Sequence, residues 1–404
     1  MRRGLVASRW TGGRMRGLVS TLGLILCLGG SAWAFQDAPT VPTADDVQGA
    51  PAAETALPPL PEGLAEDFSR DASGDAVEGR SLTNSAMASA SAAYLVGDYQ
   101  GALIHAQRAA AGGEARGATL AGHILLHGLS AEASDEDAVR WFRRAADLGE
   151  PDALIILSRL AEEERGGLQV WEAREYLAQA AEAGDARGAH EYGLYLMERG
   201  DPGAAEEALN WLQLAAQSGR AEAYGDYAYA LADWDHGPHD LSAARTWYER
   251  AGEAGDPSAA LIAGLMMMQG EGGEPDEAGG ARMIRMAAEY GLPAAMGQHA
   301  LLLFQGVADQ PPNPSDAVDW ARQGADANDP DSQFLLAYAL ASGNGAPQNL
   351  ERAYYWVLRA AAPRGGRTPE DFDRDRLEAS LENALPEPVQ QRVRVEAAVQ
   401  SSPF

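Results

Sequence analysis

Asp235-His236-Gly237-Pro238-His239-Asp240 is the segment whose residue types come nearest to chemistry. Two imidazoles three residues apart, flanked by carboxylates, form a donor set that a divalent transition metal takes. Gly, Pro and Asp are equally what a tight turn between two helices demands. The segment lies between two helical stretches, so a turn without a metal is expected. Glu271-Gly272-Gly273-Glu274-Pro275-Asp276-Glu277 is acidic but lacks the alternating ligands and closing glutamate of a calcium loop. It too reads as an exposed turn. His105 occupies a packing position and is expected to be partly buried, while His123, His127, His190 and His299 fall on helices with no partner at ligand spacing.

Other catalytic patterns are missing. There is no Gly-x-Ser-x-Gly, no His-Glu-x-x-His and no phosphate-binding loop, and Cys27 is the single cysteine. No catalytic, cofactor-binding or metal-ligating residue is therefore assigned, and the chain is expected not to be an enzyme. Acidic pairs carry no information in a chain with 59 Asp and Glu. Most Trp and Tyr residues recur at one helical position and read as core knobs. Trp171 and Trp234 stand off that register, are expected to be exposed, and are the candidate partner-binding residues.

The elements that place these residues form a repeat. An Ala-Ala pair recurs with its first member at Ala109, Ala145, Ala180, Ala215, Ala251, Ala287, Gly324 and Ala360, a spacing of 35 to 37 residues. This first member is position 0. Position −4 holds His105, Trp141, Tyr176, Trp211, Trp247, Met283, Trp320 or Trp356, and position −7 holds Ala or Gly. Four residues beyond position 0, Gly113, Gly149, Gly184, Gly219, Gly255 and Gly291, with Asn328 once, stop the helix. At about 100° per residue, positions −7, −4 and 0 make one narrow stripe.

A second helix follows each stop. Its positions +8 and +13 hold only Gly, Ala or Ser, with larger residues such as Tyr192, Leu196, Tyr224 and Tyr227 between them. Small edges flanking a bulky centre suit a helix whose neighbours approach closely on both sides. Helix pairs of this kind must stack to bury the arc. The sequence thus predicts an all-α solenoid of about eight helix-turn-helix repeats over residues 81–362, curved into a superhelix with a long groove. Residues 363–404 hold two amphipathic segments, Pro369–Ala384 and Pro388–Val399, expected to form a C-terminal helical cap.

Five arginines precede the apolar run Leu18–Gly30, and Ala32-Trp33-Ala34 fits a small-x-small cleavage site. Residues 1–34 are expected to be a signal peptide cleaved after Ala34, giving a periplasmic or secreted protein. Membrane association is expected only if this segment is retained. Residues 35–80 are rich in Pro and Ala and read as a disordered linker. The formal charge of −28 becomes −33 without the five arginines, which excludes nucleic acid as a partner.

The copies "DAVRWFRRAADLGEPDA" from Asp137 and "AARTWYERAGEAGDPSA" from Ala243, with the turn "GNGAPQNLERA" from Gly343, resemble the Sel-one-like repeat family, a tetratricopeptide relative with slightly longer units. The resemblance spans about Asp98 to Ala362. It implies a scaffold fold, and its exported bacterial members look like envelope scaffolds, regulators or virulence-associated binders. A β-lactam-binding branch carries a disulfide in each repeat, which this chain cannot form. The expected function is a periplasmic scaffold or regulatory adaptor whose partner is a protein or peptide of the cell envelope. Alternatives are a protein acting on or binding peptidoglycan or envelope polysaccharide, and a secreted binder of host proteins.

Overall fold

The computed structural model describes residues 86–360 and 370–400, apart from Glu132, Asp201 and Asp309. The segments expected to be signal peptide and linker lie outside the described residues. Among the described residues there are eighteen α-helices and no β-strand. The chain is an all-α solenoid.

The chain divides into two compact units, each a run of antiparallel helices packed on their sequence neighbours. The first holds α1 (Ala86–Leu95), α2 (Tyr99–Ala111), α3 (Ala115–Leu126), α4 (Asp135–Asp147), α5 (Pro151–Glu162), α6 (Glu172–Glu182), α7 (Ala186–Arg199), α8 (Ala205–Gln217), α9 (Ala221–Ala232) and α10 (Leu241–Glu253). The second begins with α11 (Pro257–Gln269), α12 (Glu277–Glu289), α13 (Pro293–Gln305), α14 (Pro314–Asp326), α15 (Pro330–Ser342) and α16 (Leu350–Ala360). It closes with α17 (Glu370–Ala384) and α18 (Glu387–Gln400), both packed on α16. Even-numbered helices from α2 to α16 carry the Ala-Ala pair; the odd-numbered ones between them carry the small columns.

Local chemistry sets the boundaries. Asp98, Asp185, Asp240, Asp256, Asp276 and Asp329 each accept a backbone N–H of the first helical turn that follows. Proline opens α5, α11, α13, α14 and α15, where its missing N–H costs nothing. At the stops, Gly113, Gly149, Gly184, Gly219, Gly255, Gly291 and Asn328 all have φ between 63° and 103°, the left-handed turn that these residue types allow.

The two small columns have separate jobs. A Cβ on Gly117 or Gly188, at +8, would lie within 2.8 Å of the preceding helix of its own repeat, at Ala106–Ala110 or Ala180. A Cβ on Gly122, Gly193 or Gly264, at +13, would instead meet Phe142, Leu212 or Ile284 of the following repeat at 2.7–2.8 Å. Both α3 and α7 are thus notched once for the neighbour behind and once for the neighbour ahead.

The residues filling the forward notch correct one expectation. Phe142, Leu177, Leu212, Tyr248 and Ile284, at position −3, are buried to 2% exposure or less. The −4 aromatics Trp141, Tyr176, Trp211, Trp247 and Trp320 are only half-buried and are not the core knobs, whereas Trp356 at the same position is buried as expected. Positions −4 and −3 lie about 50° to either side of the alanine stripe. Helical geometry is symmetric between them, and packing of the following repeat breaks the tie.

Candidate functional site

The residues that suggested metal chemistry have structural work instead. Asp240 caps α10 by accepting the Ala243 N–H at 3.0 Å, and His239 Nδ1 lies 3.1 Å from the Ala232 carbonyl oxygen. The His236 ring sits against Trp234, centroids 5.5 Å apart and nearly perpendicular. In the acidic turn, Asp276 caps α12 through the Gly279 N–H at 2.7 Å. No group of three or more His, Cys, Asp or Glu among the described residues is placed to hold a metal.

The two candidate partner-binding residues part company. Trp171, at the start of α6, is 63% exposed. Trp234 is only 7% exposed, contrary to expectation. The turn after α9 folds back on the helix: the Trp234 N–H bonds to the Tyr229 carbonyl at 3.2 Å and the Asp240 N–H to the Leu231 carbonyl at 2.9 Å. That return path carries the indole inward despite its place off the repeat register.

The histidines also depart from expectation. His123 of α3 and His127, the residue that ends that helix, have ring centroids 4.4 Å apart with the rings tilted, and His123 Nε2 lies 3.4 Å from the Tyr94 hydroxyl. Burial, then His127, lowers the His123 pKa to about 4, so the ring is neutral near pH 7. His190 of α7 pairs with Asp226 of α9 at 2.7 Å, one repeat along. His299 of α13 is buried with Nδ1 lacking a hydrogen-bond partner, edge-on to Trp320. Burial, then Arg285, lowers its pKa. His105 is half-buried, as its packing position implies.

What the structure does present is a row of aromatic edges. In the first unit, Trp141, Tyr176, Trp211 and Trp247 stand at one position of α4, α6, α8 and α10, each partly open to solvent. Tyr residues of the preceding odd-numbered helices lie against two of them: Tyr192 is 6.1 Å from Trp211, and Tyr224 and Tyr227 are 5.5 and 5.4 Å from Trp247. Arg143 donates to both the Tyr176 hydroxyl and Glu172, each at 3.1 Å, which ties α4 to α6 beside Trp171. Two shallow hollows open along the row. One is lined by Ala110, Ala111, Arg140, Trp141 and Arg144; the other by Gly203, Glu206, Glu207, Asn210 and Trp211. The −4 register was legible in the sequence, but its half-exposure was not. Flanking charge does not reveal it, since Trp356, with Arg352 and Arg359 one turn either side, is buried at 8% exposure.

A stack of helix pairs with side chains of this register is an α-solenoid repeat protein. The chain belongs to the Sel1 repeat family, whose sequence profile matches residues 115–150, 172–185, 186–219, 223–256, 257–291, 293–329 and 330–362. Seven repeats match; α2, which carries the first Ala-Ala pair, lies before them. A Sel1 repeat protein from Oxalobacter formigenes, solved by crystallography, is 23% identical over 81% of this chain and 97% of its own, with a TM-score of 0.53. The protective antigen c5321 of uropathogenic Escherichia coli, which displays an SLR fold, is 19% identical over 76% of this chain and 83% of its own, with a TM-score of 0.47. No curated protein matches the chain. Sel1 repeat proteins generally mediate protein–protein interaction and are typically non-catalytic scaffolds.

Proposed function

We propose that this chain is an exported, non-catalytic adaptor that binds another protein of the cell envelope through the aromatic face of its first unit. The observation that carries the reading is the row at position −4, where four aromatic side chains in register are held half-open rather than buried. Large, rigid aromatics at a solvent boundary are what protein recognition surfaces use as anchors. Export rests on the arginines, apolar run and Ala32-Trp33-Ala34 of the N-terminus. Among the described residues, no helix is long and apolar enough to cross a membrane.

Affinity capture of the tagged chain from envelope extract tests the reading. A recurrent protein partner is expected, retained less by W171A, which removes an exposed side chain. Repeated capture without a common partner, or a partner indifferent to W171A and to aromatic-to-alanine changes along the row, overturns it. N-terminal sequencing of the mature protein is expected to begin at Phe35, and cell fractionation to place it in the periplasm or medium. Recovery in the cytoplasm with residue 1 intact would overturn the export half.

A further inference from the structure

We propose that the hollow on α8 receives an arginine or lysine side chain of the partner. This rests on the adaptor reading and names the chemistry of the partner segment. Trp211, Gly203, Glu206, Glu207 and Asn210 line the hollow. Glu206 is exposed and, among the described residues, has no hydrogen-bond or ion-pair partner. Glu207 accepts the Tyr192 hydroxyl at 3.0 Å and has Arg174 at 3.7 Å, so its position is set from behind.

The next repeat shows how this register is used. Arg250, one turn after Trp247, places its guanidinium 4.6 Å over that indole. At the equivalent place after Trp211 the residue is Leu214, itself 42% exposed, and no cation of the described residues covers the ring. A half-open indole beside two carboxylates attracts a cation by its ring quadrupole and by charge, and the exposed Leu214 offers cover to the aliphatic stem. Two repeats earlier the same register has the opposite character, because the Trp141 hollow is bordered by Arg140 and Arg144. A cationic residue is therefore directed to Trp211 and repelled from Trp141. The formal charge of −28 draws a basic segment toward the chain, and the hollow gives it a seat.

The test uses the full chain and four labelled nonapeptides of one Ala/Leu sequence with Arg, Lys, norleucine or Glu at the centre, followed by fluorescence polarisation. The Arg and Lys peptides are expected to bind at least about five-fold tighter than the norleucine peptide, with Glu weakest. E206Q alone should shrink that preference, E206Q/E207Q should bring it below about two-fold, and R140Q/R144Q should leave it intact. Circular dichroism confirms that the variants fold. Equal binding of the Arg and norleucine peptides, or a preference that survives E206Q/E207Q, overturns the assignment. Glu206-dependent self-association would overturn it too, by making the occupant a second copy. The two readings fail separately: an envelope partner lost by W171A but kept by E206Q/E207Q leaves the adaptor and removes the cation.

Discussion

Adjacent positions on one helix, Trp211 and Leu212, separate packing from presentation. Leu212 is fully buried against the Gly193 notch of the preceding odd-numbered helix, whereas Trp211 keeps an open edge. Leu212→Ala is expected to cost about 2–5 kcal/mol and to exceed the cost of Trp211→Ala, though Trp is much the larger side chain. Equilibrium denaturation of the two variants decides it, and the reverse order would return Trp211 to the core. A second residue-scale outcome concerns acid. His123 has its pKa lowered to about 4 from an ordinary 6.5, so on acidification the unfolded chain takes up this proton before the folded one does. The contribution is fully present above pH 6.5 and is lost as pH falls from there toward 4. Between about pH 7 and pH 5, wild type should lose roughly 2 kcal/mol more stability than H123Q. Identical pH profiles would show that His123 is not held neutral by burial. The Trp–Leu distinction was invisible in the sequence, since both flank the alanine stripe equally. Likewise the His123–His127 contact hid behind an i, i+4 spacing that a helix face shares with ordinary packing.

At the scale of the element, most of the design was legible. The stops could be read because glycine and asparagine take the left-handed turn most readily, and Asn328 adopts it at φ 63°. The small columns could be read because a helix wedged between two neighbours has no room for side chains at its edges. The turn after α9 escaped, because its path is set by backbone hydrogen bonds back to α9, and no periodicity encodes these; Trp234 was misplaced with it. Gly264 tests the notch directly. A Cβ there would sit 2.7 Å from Ile284 Cγ1 and 2.8 Å from the Gly280 carbonyl oxygen, and the carbonyl belongs to a helix backbone that cannot swing aside. Gly264→Ala should therefore destabilise α11 against α12 by about 1–3 kcal/mol, even though alanine is the better helix former. Stabilisation by this variant would show that the helices do not meet so closely.

For the whole molecule, a repeat array gains stability from contacts between neighbours, so its final repeat needs a cover. Here α17 and α18 supply one. Leu381, Val393 and Ala397 are buried in the same cluster as Tyr354, Val357 and Leu336. Polar contacts fasten the cover at its rim: the Tyr354 hydroxyl donates to Glu382 at 2.9 Å, and Arg352 and Arg392 pair with Glu396 and Glu351. Ending the chain at Ala360 would return the outer face of α16 to water. Each large apolar side chain uncovered forfeits about 1.5–3 kcal/mol, whereas the exposed ion pairs are worth at most about 1 kcal/mol each. Amide exchange should then quicken sharply in α16 and α15, fade by α13, and leave α2–α10 unchanged, because stability passes between neighbours only. Uniform protection of α15 and α16 in the truncated chain would mean that the array ends by itself and that α17 and α18 are ornaments to it; uniform loss along the chain would mean that the repeats fold as one cooperative body.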